Sequence, residues 1–423
     1  MDKKIATKFI NEKIVPKVGA FANEPHLTAL RDGMSLTMPL IIIGSLFLII
    51  SNFPINGYLT FMANTFGKNW TSVPTMVTNA TFNLMGIVAD VGIAYQMAKY
   101  RKVDPITASI IAFAAFILTI PLTTSKGIVS IPLGPLGSSG LFTAIIVGLG
   151  ITELYCYLVR KKFTIKMPST VPPAVSNSFS ALLPGSVVLI IVWVFTLLIN
   201  MTPYKTIPNM ISALIAKPLS GMGTSFWGAF IAELLVSLLW ICGIHGANVV
   251  NVLQPIWLSA MAQNAAAMAK GKTLPYIVTQ QFFDQFVRLG GCGATLSLAI
   301  LILFMAKSAN LKSLGKLITG PSLFNINEPV IFGVPIVMNF MLAIPFIVAP
   351  LMNVILAYLS MKFGVVHKPI GVSVPFTTPI LLSGFLATGS ISGAVLQFVE
   401  VIVDGLIYYP FLKLFDKHNT EFN

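Results

Sequence analysis

Long apolar segments separated by short polar breaks run along the whole chain. A helix needs roughly 20 apolar residues to cross the hydrocarbon core of a bilayer, and several segments approach that length. Their apolar positions are continuous and do not alternate, which favours helices over the strands of a membrane barrel. The pattern therefore predicts an all-α polytopic membrane protein. The clearest spanning segments are residues 33–51, 105–122, 141–157, 185–201 and 289–305.

Composition supports this prediction, and the distribution of charge orients the chain. The 423 residues are 55% hydrophobic and 10% charged, with a mean hydropathy of +0.84, whereas soluble domains are about 25% charged. The net charge of +13 is concentrated beside alternate span ends, as the positive-inside rule describes for cytoplasmic loops. We therefore expect both termini in the cytoplasm and no nucleic-acid partner. The basic clusters lie within residues 1–32, 99–102, 160–166, 307–316 and 413–417.

Counting the apolar segments with this orientation gives about ten transmembrane helices. We divide the chain into an N-terminal membrane half, residues 33–210, and a C-terminal membrane half, residues 211–415. Cytoplasmic segments 1–32 and 416–423 flank them. The least regular crossing is a tilted seventh span at 249–261, which is needed to keep the later basic clusters on one side. The other spans are predicted near 33–53, 76–98, 105–122, 137–159, 183–201, 225–243, 289–305, 336–361 and 388–411.

Two further segments are apolar enough to enter the membrane but too short and interrupted to cross it as helices. The first, residues 320–335, carries Asn-Ile-Asn-Glu-Pro, and the second, residues 367–386, is broken by Pro369, Pro375 and Pro379. Irregular backbone at bilayer depth is tolerated only where protein covers it or a water-filled cavity receives it. Paired interrupted segments are typical of transporter binding sites, so we predict two re-entrant hairpins.

The N-terminal segment and the cysteines support weaker predictions. Residues 1–32 mix lysines with apolar residues, which suits either an amphipathic helix on the membrane surface or a solvated tail. No cleavable signal sequence is predicted there. Cys156, Cys242 and Cys292 lack the spacing of metal ligands, so we interpret them as small core residues and expect neither a metal nor a cofactor.

Two polar residues in apolar surroundings are the strongest candidates for chemistry. Glu328 lies in the first hairpin, and His245 lies between Gly243 and Gly246. A carboxylate at membrane depth costs about 3 kcal/mol or more and is normally retained to bind or move something. The residues alone leave two alternatives open: Glu328 caps the following helical segment, and His245 is a packing residue. Together, however, they indicate a polar substrate site.

Several motifs around these residues have a counterpart in a known family. They are Asn-Ile-Asn-Glu-Pro-Val-Ile-Phe-Gly-Val-Pro-Ile-Val-Met-Asn at 325–339, Gly-Ile-His-Gly at 243–246, Phe-Phe-Asp at 282–284, Gly-Gly-Cys-Gly-Ala-Thr-Leu at 290–296 and Val-Pro-Pro-Ala-Val-Ser at 171–176. The chain resembles the membrane (IIC) components of the sugar phosphotransferase system (PTS) over nearly its whole length. The lactose/cellobiose/diacetylchitobiose branch fits best.

The resemblance implies a multi-pass permease of the bacterial inner membrane, surrounded by lipid. It would bind and translocate a disaccharide of the cellobiose, diacetylchitobiose or lactose type. Transport would be coupled to phosphorylation of the sugar's 6-hydroxyl by a phosphocysteine on a separate IIB protein, which an upstream IIA protein supplies. The N-terminal half would form a homodimer and the C-terminal half would hold the sugar. Whether the chain counts as an enzyme stays open, because it holds the sugar while IIB donates the phosphate.

The resemblance also implies roles for individual residues. Glu328 would hold the reacting 6-hydroxyl, and His245 would help to hold the sugar or the incoming phosphate. Phe376 stands where the family commonly has Trp; it keeps stacking on a sugar face but loses the indole donor, which leaves the identity of the sugar open. The family also often has Pro where this chain has Phe340. The remaining candidate sugar contacts are Asn325, Asn327, Thr377, Thr378 and Asp284.

Other interpretations of these residues stay open. The two asparagines suit turn formation in the hairpin, and Asp284 with Arg288, four residues apart, suits an ion pair on a helix, which we favour. The glycines at 290–293 favour close helix packing over a phosphate loop. The alternative function is an ion-coupled secondary transporter that uses Glu328 and Asp284 as proton or cation sites. A channel is disfavoured because rings of charge and a repeated filter segment are lacking.

Overall fold

A computed structural model describes residues 24–51, 53, 57–125, 127–165, 173–246, 250–337 and 339–421, together with single residues 12, 16 and 20. It is 74% helical with almost no sheet, which confirms the predicted all-α membrane fold. Among these residues, six helical segments are long and apolar enough to cross a membrane, or seven if one pair bent by 70° forms a single span. The predicted surface helix within residues 1–32 lies largely outside the described residues.

The first half begins with the candidate span Pro25–Ser51, in which a turn at Leu36 and Thr37 separates two helices. A two-stranded antiparallel hairpin at residues 123–130 follows the helix Pro105–Thr119, with Thr124 paired to Val129. The elements are α1 (Pro25–Ser35), α2 (Met38–Ser51), α3 (Tyr58–Phe66), α4 (Ser72–Phe82), α5 (Met85–Tyr100), α6 (Pro105–Thr119), β1 (Thr123–Ser125), β2 (Ile128–Ser130), α7 (Leu133–Leu136), a 3-10 turn (Ser138–Gly140), α8 (Leu141–Arg160), α9 (Pro173–Asn200) and α10 (Ile207–Ile211).

The helices of the second half are more often interrupted, as the prolines and glycines predict. A π-helical turn, Ser212–Ala216, precedes them. They are α11 (Lys217–Gly223), α12 (Phe226–Ile241), a 3-10 turn (Asn251–Leu253), α13 (Gln254–Ala269), α14 (Gln280–Phe282), a second π-helical turn (Phe283–Val287), α15 (Leu296–Met305), α16 (Ala309–Leu323), α17 (Glu328–Gly333), α18 (Phe340–Lys362), α19 (Leu382–Thr388) and α20 (Ile391–Glu421).

Each predicted span has a helical counterpart, but some of these helices are shorter than a membrane crossing. α6 and α15 are apolar but shorter than a full crossing. α13 covers most of the tilted seventh span, but it is not among the segments long and apolar enough to cross, so that crossing stays a prediction. The bent pair is Ile207–Gly223 with Phe226–Ile241.

The chain clusters into two compact units. The N-terminal unit comprises Phe21–Gly44 and Met76–Ser220, and the C-terminal unit comprises Gly221–Asn423 with Ser45–Thr75 and the first 20 residues. In the N-terminal unit, α1 and α5 cross closely because glycines meet there. A Cβ atom built on Gly33 would lie 2.5 Å from the Ile93 Cα atom, and one on Gly92 would lie 2.7 Å from the Gly33 carbonyl oxygen. Small residues at helix crossings are typical of membrane bundles.

In the C-terminal unit, buried amide side chains satisfy the backbone where the chain is not helical. Residues 367–381 contain no helix, and Val374 within them donates its N–H to Gln281 Oε1 while its carbonyl accepts from Gln285 Nε2, both at 3.0 Å. Gln397 Oε1 accepts the Leu381 N–H at 2.6 Å. Backbone groups at membrane depth need such partners, which explains glutamines in otherwise apolar segments.

Asn264 has the same role and gives a test of it. Its Nδ2 atom donates to the carbonyls of Tyr276 (2.8 Å) and Pro369 (2.7 Å), and its Oδ1 atom accepts the Tyr276 N–H (3.0 Å). We expect Asn264→Leu to destabilise the fold by about 2–4 kcal/mol, because each unpaired buried backbone group costs about 1–3 kcal/mol. Thermal unfolding in detergent measures the effect. Gln263→Leu is the control, since Gln263 hydrogen-bonds the side chains of Ser259 and Tyr276. Equal melting temperatures for the two variants would contradict the prediction.

Candidate functional site

A glycine-rich loop, residues 289–295, forms the base of the site. Gly290, Gly291 and Gly293 have φ values of +77°, +94° and +81°, which glycine adopts without strain. The loop is closed by the Thr295 hydroxyl, which donates to the Gly290 carbonyl at 2.8 Å. A Cβ atom built on Gly293 would lie 2.8 Å from Phe346 Cγ. These glycines therefore lie in a loop and not at the predicted crossing of helices; they let side chains pack closely on the loop, and the left-handed backbone is an additional reason for them.

The first hairpin consists of α16, a turn at 324–327, and the short helix α17. Asn325 has a φ of +59°, and Asn is one of the few residues apart from Gly that adopts this region readily. Its Oδ1 atom accepts the Gly290 N–H at 2.6 Å, and its Nδ2 atom donates to the Phe376 carbonyl. Asn327 Nδ2 donates to the Cys292 carbonyl at 2.6 Å. Both amides are buried and bind backbone, so the turn-forming role that the sequence left open is present.

Glu328 follows directly and is the first residue of α17. Unlike the two asparagines, its side chain is exposed. The next residue is Pro329, which is well accommodated in the first turn because it has no N–H to satisfy. The hairpin therefore buries two amides to hold the turn, whereas the Glu328 carboxylate makes no side-chain hydrogen bond among the described residues and is accessible to a ligand.

The second hairpin, residues 367–386, contributes an aromatic surface next to this turn. Its arms meet where the Ile370 N–H donates to the Ala387 carbonyl at 2.9 Å. The Phe376 carbonyl is bound by Asn325, while the Phe376 side chain is 57% exposed. Thr377 and Thr378 follow in a turn closed by the Thr378 N–H on the Pro375 carbonyl at 2.9 Å, and both are partly buried. The segment that carries Phe376 is thus joined to the Glu328 turn by the Asn325 side chain.

His245 lies in the loop that follows α12. Gly243 in this loop has a φ of +77°, and a Cβ atom built on it would lie 3.4 Å from Val337 Cγ1, just beyond α17. The His245 ring packs on the Trp240 ring with centroids 4.5 Å apart, and the His245 side chain is exposed. The His245 loop therefore contacts the C-terminal end of the Glu328 hairpin.

The ion pair expected between Asp284 and Arg288 is not formed, and the expectation was wrong. The helix that would align these residues is a π-helical turn ending at Val287, and Arg288 leaves it with φ −108° and ψ 56°. Arg288 Nε and Nη2 instead lie 2.8 Å from Oε2 of Glu233. Asp284 accepts from Gln280 Nε2 with both carboxylate oxygens at 3.0 Å.

The sequence motifs do not reveal the polar partners that lie far apart in the chain. These partners are Glu233 and the amides of Gln281, Gln285 and Gln397. The signal that identifies them is the same as for Glu328: a polar side chain inside an apolar segment, with no basic cluster nearby. Within the described part of the chain, no group of three or more His, Cys, Asp or Glu side chains is arranged to hold a metal ion.

This geometry defines a class of protein. Its interrupted segments carry a carboxylate, an aromatic ring and a histidine within a polytopic helical membrane fold, as in transporters that bind a polar solute within the bilayer. Hydroxyl-rich neutral ligands need hydrogen-bond partners and an aromatic platform, and the site offers both.

Comparisons with known proteins identify the family. The profile of the family "Phosphotransferase system, EIIC" matches residues 31–350. The chain therefore belongs to the EIIC family of the phosphotransferase system and is a multi-pass bacterial membrane protein. Proteins of this family act with a IIB partner and a sugar substrate.

Relatives match over almost the full length. The chain is 48% identical to the lichenan permease IIC component of Bacillus subtilis (strain 168), covering 98% of this chain and 94% of the relative. It is 47% identical to the cellobiose-specific EIIC component of Geobacillus stearothermophilus, covering 98% and 95%. The crystal structure of ChbC, the IIC component of the N,N'-diacetylchitobiose-specific system, has a TM-score of 0.92 and 47% identity, covering 97% and 98%.

Proposed function

We propose that this protein binds a β-linked disaccharide in the C-terminal unit and presents its 6-hydroxyl to a phosphocysteine of the IIB partner. The observation that carries the proposal is that the exposed Glu328 carboxylate and the exposed Phe376 ring lie on two segments joined by Asn325. The relatives named for lichenan, cellobiose and diacetylchitobiose support this class of sugar. Both termini are proposed to be cytoplasmic, and the N-terminal half to form the homodimer within the lipid.

Glu328 and His245 are proposed to carry the reaction. The carboxylate accepts a hydrogen bond from the 6-hydroxyl and aligns this oxygen for in-line attack on the phosphorus. The new O–P bond forms as the S–P bond of the phosphocysteine breaks. The hydroxyl proton passes to Glu328, and the thiolate of IIB is the leaving group. His245 binds the sugar or the incoming phosphoryl group, for which an imidazole can donate.

The other predicted residues divide by what they contact. Phe376, Thr377 and Thr378 are proposed to contact the sugar directly, with the ring stacking on one face. Asn325 and Asn327 are proposed to act mainly by holding the hairpin, because their amides already bind backbone. Asp284 is less available to the sugar than the other predicted contacts, since both of its oxygens accept from Gln280.

Reconstituted vesicles test the function. We expect cellobiose phosphate to accumulate only when phosphorylated IIB is supplied on the side of the protein's basic loops. The competing function, an ion-coupled secondary transporter, predicts a different product. Accumulation of unmodified sugar driven by a proton or sodium gradient, without IIB, would contradict the proposal.

Phe376 gives a test of the sugar platform. We expect Phe376→Ala to weaken sugar binding by about three- to tenfold, because an aromatic stacking contact is worth roughly 0.5–1.5 kcal/mol beyond its buried area. Phe376→Trp should retain or improve binding. Phe332, which is 66% exposed on α17, provides the matched control, and Phe332→Ala should leave the dissociation constant unchanged. Calorimetric titration with cellobiose distinguishes these outcomes; equal affinities for both alanine variants would argue against the platform.

A further inference from the structure

The ion pair between Glu233 and Arg288 is buried in the C-terminal unit. Glu233 is 0% exposed, and the Arg288 side chain is 13% exposed. Two guanidinium nitrogens, Nε and Nη2, approach the same carboxylate oxygen at 2.8 Å. A buried ion pair is often no more stabilising than apolar residues of the same volume, because both charges lose their hydration. Its presence therefore calls for a role other than stability, and fixing one specific geometry is such a role.

The carboxylate partner, Glu233, lies on α12, the helix that leads into the His245 loop, and the ion pair fixes the position of this helix. Glu233 and Trp240 are seven residues apart on α12, so they lie two turns apart on one face of the helix. Both are buried, at 0% and 5% exposure. The Trp240 ring then packs on the His245 ring at 4.5 Å. Anchoring Glu233 thus fixes the rotation of α12 and the surface on which His245 rests.

The guanidinium partner, Arg288, directly precedes the glycine-rich loop that holds the Glu328 turn, and the ion pair fixes the position of this loop. The Arg288 carbonyl accepts the Gly291 N–H at 2.9 Å, which starts the glycine-rich loop. That loop binds the two hairpin amides, through the Gly290 N–H on Asn325 and the Cys292 carbonyl on Asn327. Glu328 is the next residue. Anchoring Arg288 thus fixes the loop on which the Glu328 turn is held.

The pairing is also specific. Asp284 is a second carboxylate close enough to interact electrostatically with Arg288, but its oxygens are both engaged by Gln280. The guanidinium group is further held over the Phe283 ring, at 5.3 Å from the centroid. Arg288 therefore forms its ion pair with Glu233 on α12 and not with Asp284 of its own segment.

We propose that Glu233 and Arg288 are positioning residues whose ion pair holds the His245 loop and the Glu328 hairpin at a fixed separation for phosphoryl transfer. This inference rests on the proposed function. In-line transfer depends on placement of the attacking oxygen, and a displacement of about 1 Å can cost about 100-fold in rate. Sugar binding depends less on this separation, because the segment that carries Phe376 is also held by Gln281 and Gln285, which bind the Val374 backbone.

The test compares rate and binding in purified, reconstituted protein. We expect Glu233→Gln to reduce the transfer rate at saturating cellobiose by about 100-fold, with little change in the dissociation constant for cellobiose. The double variant Glu233→Leu with Arg288→Met removes both charges of the pair together, so that neither partner is left without the other. It should regain the wild-type melting temperature but not the wild-type transfer rate. Glu153→Gln is the control, since it breaks an ion pair with Arg101 in the N-terminal unit.

Two outcomes overturn the inference. One is a wild-type transfer rate in Glu233→Gln. The other is recovery of both melting temperature and transfer rate in the double variant, which would show that the pair only supports folding. Glu328→Gln, assayed in parallel, separates this result from the proposed function: if Glu328→Gln is inactive while the Glu233 variants are fully active, only the positioning role fails. If Glu328→Gln retains full activity, the proposed function itself fails.

Discussion

Replacing Glu328 with Gln is expected to lower IIB-dependent sugar phosphorylation by about 100- to 1000-fold, the usual effect of removing one precisely placed electrostatic group. The amide keeps the size of the carboxylate and remains a good residue for the first turn of α17. It removes the negative charge that is proposed to align the 6-hydroxyl and to accept its proton. Because Glu328 is exposed and makes no side-chain hydrogen bond within the described part of the chain, the fold should not depend on it.

The measurement is the initial rate of cellobiose phosphate formation in vesicles with phosphorylated IIB. Thermal unfolding and cellobiose binding are recorded on the same preparation. Glu328→Asp keeps the charge but withdraws it by one methylene, so an intermediate rate is expected. Asp32→Asn removes an exposed carboxylate of the N-terminal unit, 41% exposed, and should not change the rate. A wild-type rate for Glu328→Gln would remove this residue from the mechanism.

Gly291→Ala is expected to damage both stability and transport. A Cβ atom at this position would lie 2.7 Å from Asn327 Oδ1 and 2.8 Å from Asn327 Cβ. It would also force an L-residue to a φ of +94°. The backbone cost is about 1–2 kcal/mol, and overpacking adds about 1–3 kcal/mol. Relief of the clash has to move Asn327, and with it the neighbouring Glu328.

Gly364→Ala is the matched control, because it separates the two causes. Gly364 has a φ of +77°, similar to Gly291, but a Cβ atom there would meet nothing within 4 Å. Its variant therefore carries the backbone cost alone and should transport normally. We expect the melting temperature of Gly291→Ala to fall further and its transport to drop to a small fraction of wild type. Equal behaviour of the two variants would show that the contact with Asn327 is unimportant.

The fold was largely predictable because membrane helices are specified locally. Continuous apolar segments gave a helix for each predicted span, and the prolines and glycines of residues 320–335 and 367–386 correctly marked interrupted structure. A long apolar segment has few alternatives in lipid, since its backbone must be satisfied within itself.

The polar contacts were less predictable, because they join residues far apart in the chain. Arg288 pairs with Glu233 across 55 positions, whereas the spacing rule that suggested Asp284 holds only for a regular α-helix. The π-helical turn that breaks this rule has no clear sequence signal. For Asn325, the residue type alone could not distinguish an amide that binds sugar from one that binds backbone.

The attachment of residues 367–381 to buried glutamines has a consequence for movement. Val374 is bound from both sides by the segment at 281–285, and Leu381 is bound by Gln397 of α20. Bending this segment by itself would strand several buried backbone groups without partners, at about 1–3 kcal/mol each. Displacing the segment together with residues 280–287 and α20 breaks none of these bonds. Movement of Phe376 therefore has the lowest free-energy cost when the whole segment moves as a rigid body. A sugar stacked on Phe376 would then move together with the helices and not through bending of a flexible loop.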